Sequence, residues 1–226
     1  MQPVLQERAT TMESQQYKDL SIQEFTRAAA EYETGADHGL YEMCKDDYPP
    51  ILEELRTEPF ETLLDAGCGT APMISLLAEE YPDRTYTGLD LTPAMIEVAK
   101  AKDLPNATFV VGDCENLPFP ENSFDVIINS QSYHHYPNPQ AFWNSVYRVL
   151  KPGGKVILRD NTGGGVLRFF GNKILLPLAN RIKHTGDVAI YSVEENTRMA
   201  QAAGLTVEKC EQQKDHRLHM VARKPL

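Results

Sequence analysis

The sequence predicts an α/β domain whose parallel sheet is covered by helices on both faces, and three observations carry that reading. Short apolar runs that close on a polar residue recur through the middle of the chain: Leu63-Leu64-Asp65, Thr85 to Asp90, Phe109-Val110-Val111 ahead of Gly112-Asp113, and Phe124 to Asn129. Helical stretches separate them, and alternation of this kind builds a parallel sheet. Directly after the first run comes the turn Asp65-Ala66-Gly67-Cys68-Gly69-Thr70. Its two glycines let the backbone turn sharply and approach a ligand with no Cβ in the way. Such turns hold nucleotide-like groups at the carboxyl ends of strands.

Along the chain, residues before about Ser21 are polar and unpatterned and are expected to fray. Ser21 and Glu24 have the spacing of a capping box, which predicts a helix through Tyr32. Pro49-Pro50 set the start of a second helix that reaches Leu55 from about Asp46 or Pro50. Strands are predicted near 61–65, 85–90, 107–111, 124–129 and 154–160, with helices near 71–81, 93–102 and 139–150. Thr92-Pro93 and Asn138-Pro139 each read as a capping residue followed by proline at the first helical position. Residues 161–190 break the rhythm with Gly163 to Gly165 and an apolar, partly basic insert. Ser192 and Glu195 form another capping box, Gly204 stops that helix, and strands near 205–212 and 216–223 finish the chain.

The turn also discriminates between ligands. A dinucleotide fingerprint wants a third glycine where Pro72 stands, and Asp65 would repel a pyrophosphate while welcoming a cationic amino acid. Both features count against a nicotinamide-dependent oxidoreductase. Asp90, at the tip of the second strand, is placed to accept both ribose hydroxyls.

Taken together, Leu63 to Thr70, Gly88 to Asp90 with Thr92-Pro93-Ala94-Met95, Gly112-Asp113 with Leu117-Pro118-Phe119, Phe124-Asp125 and Arg148 to Gly154 resemble the class I S-adenosylmethionine (SAM) dependent methyltransferases. Within them the chain is most similar to the small-molecule branch that includes the ubiquinone and menaquinone methyltransferases. The likeness runs from about Phe60 to Asp160. It implies a Rossmann-like, seven-stranded, mostly parallel sheet with an antiparallel carboxy-terminal hairpin, and an amino-terminal helical cover over residues 21–58. It implies SAM as cofactor, held by Tyr32, Asp65, Ala66, Gly67, Cys68, Gly69, Asp90, Leu91, Met95, Gly112, Asp113, Cys114, Asn129 and Ser130. In the family's pattern Asp113 meets the adenine amine, while Asn129 and Ser130 lie near the methionine part.

The acceptor side is expected around Tyr133, His134 and His135, because strand ends in this fold point to the ligand. Tyr133, His134 and the 161–190 insert should wall the acceptor pocket. His134 is the first candidate for a general base and His135 the alternate, since an ordinary histidine titrates near pH ~6.5. Adjacent histidines with no third ligand at useful spacing make a poor metal site, so no metal is expected. Cys68 reads as a small residue tolerated in the turn.

The bulk numbers narrow the function. With 226 residues and a net charge of −10, the chain fits one domain and disfavours a nucleic-acid partner. No apolar run approaches the ~20 residues of a membrane span. Cys44, Cys68, Cys114 and Cys210 show neither metal spacing nor a disulfide framework, as suits a cytoplasmic protein. The reading is therefore methyl transfer to a small-molecule acceptor. Its alternative is a SAM-binding protein without transferase activity.

Overall fold

The structure is a computed structural model and describes residues 2–34, 38–183 and 185–226. Seven strands form one sheet in the order β3-β2-β1-β4-β5-β7-β6, with β1 Thr62–Ala66, β2 Thr85–Asp90, β3 Ala107–Val111, β4 Phe124–Ser130, β5 Leu150–Asn161, β6 Thr206–Gln212 and β7 Arg217–Arg223. Neighbours from β3 to β5 pair in parallel, and β7 runs antiparallel to both β5 and β6. The chain steps outward from β1 to β3, then returns to place β4 on the other side of β1. That reversal leaves a crevice at the carboxyl ends of β1 and β4, where ligands of open α/β sheets bind.

Strand alternation explains why both faces are covered. Leu64, Ile127 and Val156 face Phe142, Trp143 and Val146 of α6 (Pro139–Val149) and Ala200 of α9 (Val193–Ala202). Their neighbours Leu63, Val126, Ile128 and Ile157 face Ile51 and Leu55 of α3 (Tyr48–Leu55), Ile74 and Leu77 of α4 (Pro72–Glu80) and Ile96 of α5 (Pro93–Ala101). One period-two pattern thus feeds two cores. The Ser192/Glu195 capping box is formed, and Gly204 ends α9 at φ +98°.

The amino-terminal segment departs from expectation. Helix α1 spans Gln2–Ala28, so Ser21 does not cap anything; it is buried inside the helix and its hydroxyl lies 3.4 Å from His135 Nδ1. The reason is local: Glu13, Gln15, Gln16, Lys18 and Leu20 are good helix formers, and Gln15 bonds Asp19 one turn on. A short helix α2 (His38–Lys45), unmarked in the sequence pattern, precedes α3. Thr92 likewise makes no side-chain cap, because the Asp90 carboxylate already accepts its amide at 2.8 Å. Strand β5 begins four residues earlier than predicted, where Leu150 pairs with Phe124 ahead of a register shift.

Helix α3 is held to the sheet by buried charge. Asp47, fully buried at its start, accepts from Arg159 Nε at 3.0 Å and Nη2 at 2.8 Å, and from Gln131 Nε2 at 2.8 Å. Removing one partner of such a pair strands the other in the core. Asp47→Ala should therefore cost about 3–5 kcal/mol in urea unfolding; a loss within experimental error would show that water reaches Arg159.

Candidate active site

The crevice is built on the turn after β1. Gly67 (φ +84°), Gly69 (φ +54°) and Ala71 (φ 62°) alternate left-handed conformations through it. The amides of Gly67 and Cys68 both donate to the Leu89 carbonyl, at 2.7 and 3.0 Å, which locks the turn against the tip of β2. A Cβ on Gly67 would run into Ser132 Oγ, whereas one on Gly69 would meet nothing within 4 Å. Gly67 is therefore needed for close packing, while Gly69 leaves open space on the ligand side.

At the floor lie two carboxylates. Asp90 Oδ2 accepts from the Gly69 amide at 2.9 Å and Oδ1 from Thr92, so each oxygen keeps a lone pair for a hydroxyl. Asp65 is 3% exposed, and among the described residues it has no hydrogen-bond donor and no cation beside it. Burial, reinforced by Asp90, pushes its carboxyl up to about 7. Close by, Ser130 Oγ is buried without a partner. These are groups waiting for a ligand with a positive charge and donors.

The cleft opens at these strand ends, with about 960 Å³ of empty space that includes its open mouth. Tyr32, Asp65, Gly67, Cys68 and Gly69 line it together with Asp90, Leu91 and Met95, and on the far side come Asp113, Cys114, Ser130 and His135. All of these were expected from the sequence. Ala66, Gly112 and Asn129 do not line it. Asn129 is buried and donates from Nδ2 to the Ala66 carbonyl at 2.6 Å and to Tyr136 OH at 2.9 Å, so it braces β1 and β4 from behind. The Gly112 amide donates to the Asp90 carbonyl at 2.9 Å, and a Cβ there would hit Leu89. Asp113 is already engaged by Lys18 of α1 at 2.7 Å, which ties the amino-terminal helix across the mouth. Glu33 does the same from the next turn, accepting from Thr70 Oγ1 at 2.5 Å and Lys102 at 2.6 Å. The Cys68 and Cys114 thiols are pushed up by burial and neighbouring carboxylates, which removes both as nucleophiles.

A second cavity of about 840 Å³ adjoins the first and shares Phe25, Tyr32, Gln131 and His135 with it. Here the histidines sit. His134 donates its backbone amide to Asp160 Oδ2 at 3.2 Å, and its ring Nδ1 lies 2.8 Å from Oδ1. Nε2 is thereby turned toward Asp187, 3.6 Å away, and His135 Nδ1 is 3.6 Å from the same oxygen. The two rings stack at 4.3 Å. Burial opposes a charge on His134, but Asp160 and then Asp187 outweigh it and raise the ring to about 8. Burial and the His134 charge together lower His135 to about 4. The pair therefore shares one proton at neutral pH, held on His134. Neither ring has the ordinary histidine value on which the sequence argument relied.

Two expectations are corrected by this geometry. Tyr133 does not wall either cavity; it is 2% exposed, packed on Phe142, Trp143 and Tyr191, and accepts from Trp143 Nε1 at 2.9 Å. The reasoning that the histidines lack a third ligand also fails, since Asp187 arrives from the insert to within 4.8 Å of both ring nitrogens. Asp160 was missed although it closes β5 as acids close the earlier strands. Lys18 and Asp187 left no signal, because their roles depend on how distant segments fold back.

Residues 64–158 match the family model described as a methyltransferase domain. Over 99 residues the chain is 44% identical to a phthiotriol/phenolphthiotriol dimycocerosates methyltransferase of Mycobacterium leprae, covering 43% of this chain and 37% of that one. It is 39% identical over 99 residues to a fatty-acid O-methyltransferase of Mycolicibacterium smegmatis, covering 43% and 36%. The matched stretch is thus little more than a third of these relatives' length. Among solved structures, an S-adenosylmethionine dependent methyltransferase from Mesorhizobium loti superposes with a TM-score of 0.65 at 19% identity, covering 79% of this chain and 97% of that one. That likeness establishes the Rossmann-like fold.

The state of Asp65 can be read from stability. Its folded carboxyl titrates near 7 against an ordinary 3.8, so the ionised form is disfavoured in the fold. The stability this group permits is complete below about pH 4 and falls as pH rises to about 7. Without ligand, Asp65→Asn should be more stable than the parent at pH 8, by on the order of 2–4 kcal/mol, and much less so at pH 4. Thermal melts at both pH values check this; an equal difference at the two would place a cation beside Asp65.

Proposed function

We propose that this chain, whose residues 64–158 match a methyltransferase domain, is a class I SAM methyltransferase that moves a methyl group from SAM to the hydroxyl of a small, lipid-like acceptor. One observation carries the donor assignment: Asp65, buried, and Asp90, half-buried, lie close together at the cleft floor, and among the described residues no cation stands beside Asp65 to balance them. The fit is supported by the open space at Gly69 and the unpartnered Ser130 hydroxyl. Asp65 would take the ligand's ammonium group and Asp90 its ribose hydroxyls, with Met95 and Leu91 against the adenine. The sulfonium supplies an already electrophilic methyl, so the protein's task is alignment and exclusion of water.

His135 borders both the donor cleft and the second cavity and His134 lines the second, which favours the pair as the group that receives the acceptor's proton. In this assignment the hydroxyl oxygen forms the new bond to carbon, the carbon–sulfur bond breaks with its electron pair on sulfur, and the O–H proton passes to the histidine pair. Asp160 positions His134 by fixing its Nδ1 and leaving Nε2 toward the cavity. The names of the relatives, a dimycocerosates and a fatty-acid methyltransferase, support a lipid-like acceptor rather than a quinone. No step of this assignment uses a metal, although His134, His135 and Asp187 offer three ligand atoms within 4.8 Å of one another.

Incubation with SAM and a panel of long-chain acids, alcohols and phenols, read as S-adenosylhomocysteine release, tests the proposal; binding without turnover on every class would favour a SAM-binding protein. With a reactive acceptor, turnover should rise with pH to a plateau above about 8, since His134 must lose its proton first. Asp160→Asn should move that midpoint downward, and His134→Ala should cost about 10²–10⁴-fold in turnover with SAM affinity held within a few-fold. EDTA should leave turnover unchanged; a loss restored by a divalent cation would assign the His134, His135, Asp187 cluster to metal.

A further inference from the structure

The 161–190 insert folds as a helical rod turned inside out. It comprises α7 (Gly165–Phe170), a π-helical turn (Gly171–Leu175) and α8 (Leu176–Lys183). Its polar side chains point inward: Asn172 bonds the Ile190 backbone at both N and O, Arg168 bonds the Ile190 carbonyl and Glu195, and Asn180 donates to the Asp187 carbonyl. Its apolar side chains point outward. Phe170, Ile174, Leu178 and Ile182 recur every four residues as one ridge, 50, 51, 50 and 68% exposed, with Phe169 and Leu175 beside it at 59 and 63%. Among the described residues, six of the nine large hydrophobic side chains on the surface lie on this one element. A contiguous patch of this kind on a soluble surface marks an interaction site.

Charge names the occupant. No acidic residue occurs between Asp160 and Asp187, while Arg168, Lys173, Arg181 and Lys183 are basic, in a chain whose net charge is −10. Lys173 is exposed and pairs with no carboxylate among the described residues. An apolar ridge with the exposed Lys173 beside it, on a stretch of sequence that is basic and free of acids, has the composition of a helix that lies in a lipid headgroup layer. Each basic group near an anionic surface adds attraction that salt screens.

We propose that residues 165–183 dock the protein on an anionic lipid bilayer, with the ridge in the acyl boundary and Lys173 at the headgroups. Leu176 on the inner side of the same rod lines the second cavity, next to His134 and Asp187. Docking would thus present that cavity to a lipid held in the membrane. The inference does not rest on the methyl-transfer chemistry, since binding is read without substrate.

The test is flotation of the full chain with phosphatidylcholine vesicles containing 30% phosphatidylglycerol, roughly the anionic share needed for such attraction, and with phosphatidylcholine alone. The parent should float with the anionic vesicles, less so as salt rises, and at least tenfold less with the neutral ones. The triple variant Phe170→Asp, Leu175→Asp, Ile182→Asp should keep the parent's circular dichroism and lose flotation, and Lys173→Glu should weaken it. Should the triple variant misfold, hydrogen exchange of the parent decides, and amides of 165–183 should slow on anionic vesicles. Absence of flotation, equal flotation by a folded triple variant, or a lipid-free dimer abolished by the same substitutions would overturn the proposal, the last by assigning the face to a second copy.

Discussion

Two carboxylates, one buried and one half-buried, set the terms of this structure. Asp65 ends β1 and Asp90 ends β2, and parallel register brings the two strand tips together, with Asp65 opposite Gly88. Like charges in a shared apolar floor repel, and each pays for leaving water. The fold tolerates this because the turn between them is fixed elsewhere, through the Gly67 and Cys68 amides on Leu89 and the Asn129 brace on Ala66. Asp90 is partly compensated by two amides, whereas Asp65 has none. The sheet order, the left-handed turn and the covering helices all serve to hold this unbalanced charge at the bottom of a cleft.

Around that floor the chain builds outward in layers of decreasing rigidity. Strands β1, β2 and β4 supply the floor from residues buried on both faces. The cover is tied on by ion pairs, Lys18 to Asp113 and Glu33 to Lys102, which cross from the amino-terminal segment to the cleft rim. Such partly exposed pairs are individually weak. The second cavity is assembled differently, from the end of β5 and the returning strap 185–190, whose Val188 and Ala189 amides donate to the His134 carbonyl.

Much of the sheet was legible in the sequence because burial on two faces leaves continuous apolar runs, and each run ends on the polar residue that meets solvent or ligand. The predicted strands near 85–90 and 107–111 match β2 and β3, and the others differ at their ends by one to a few residues. What escaped was tertiary in origin. Helix α1 runs on through Ser21 on the helix formers before it, and Ser21 itself is taken up against His135, a contact no capping pattern contains. Tyr133 reads as a pocket residue beside two histidines, yet its ring is claimed by Trp143 and Phe142. The histidine values are set by Asp160 and Asp187, which lie 26 and 53 positions from His134. The insert gave its apolar and basic composition in sequence, but only the fold reveals that the apolar side faces out.

The central claim is that an uncompensated Asp65 receives the cationic end of a SAM-like ligand, and calorimetric titration with S-adenosylhomocysteine across pH 5.5 to 8.5 tests it most directly. Only the ionised carboxylate can bind the ammonium group, so affinity should hold level above about pH 7 and fall by about tenfold per unit below it, with close to one proton released per ligand bound at pH 6. Affinity independent of pH, with no proton released, would contradict the account.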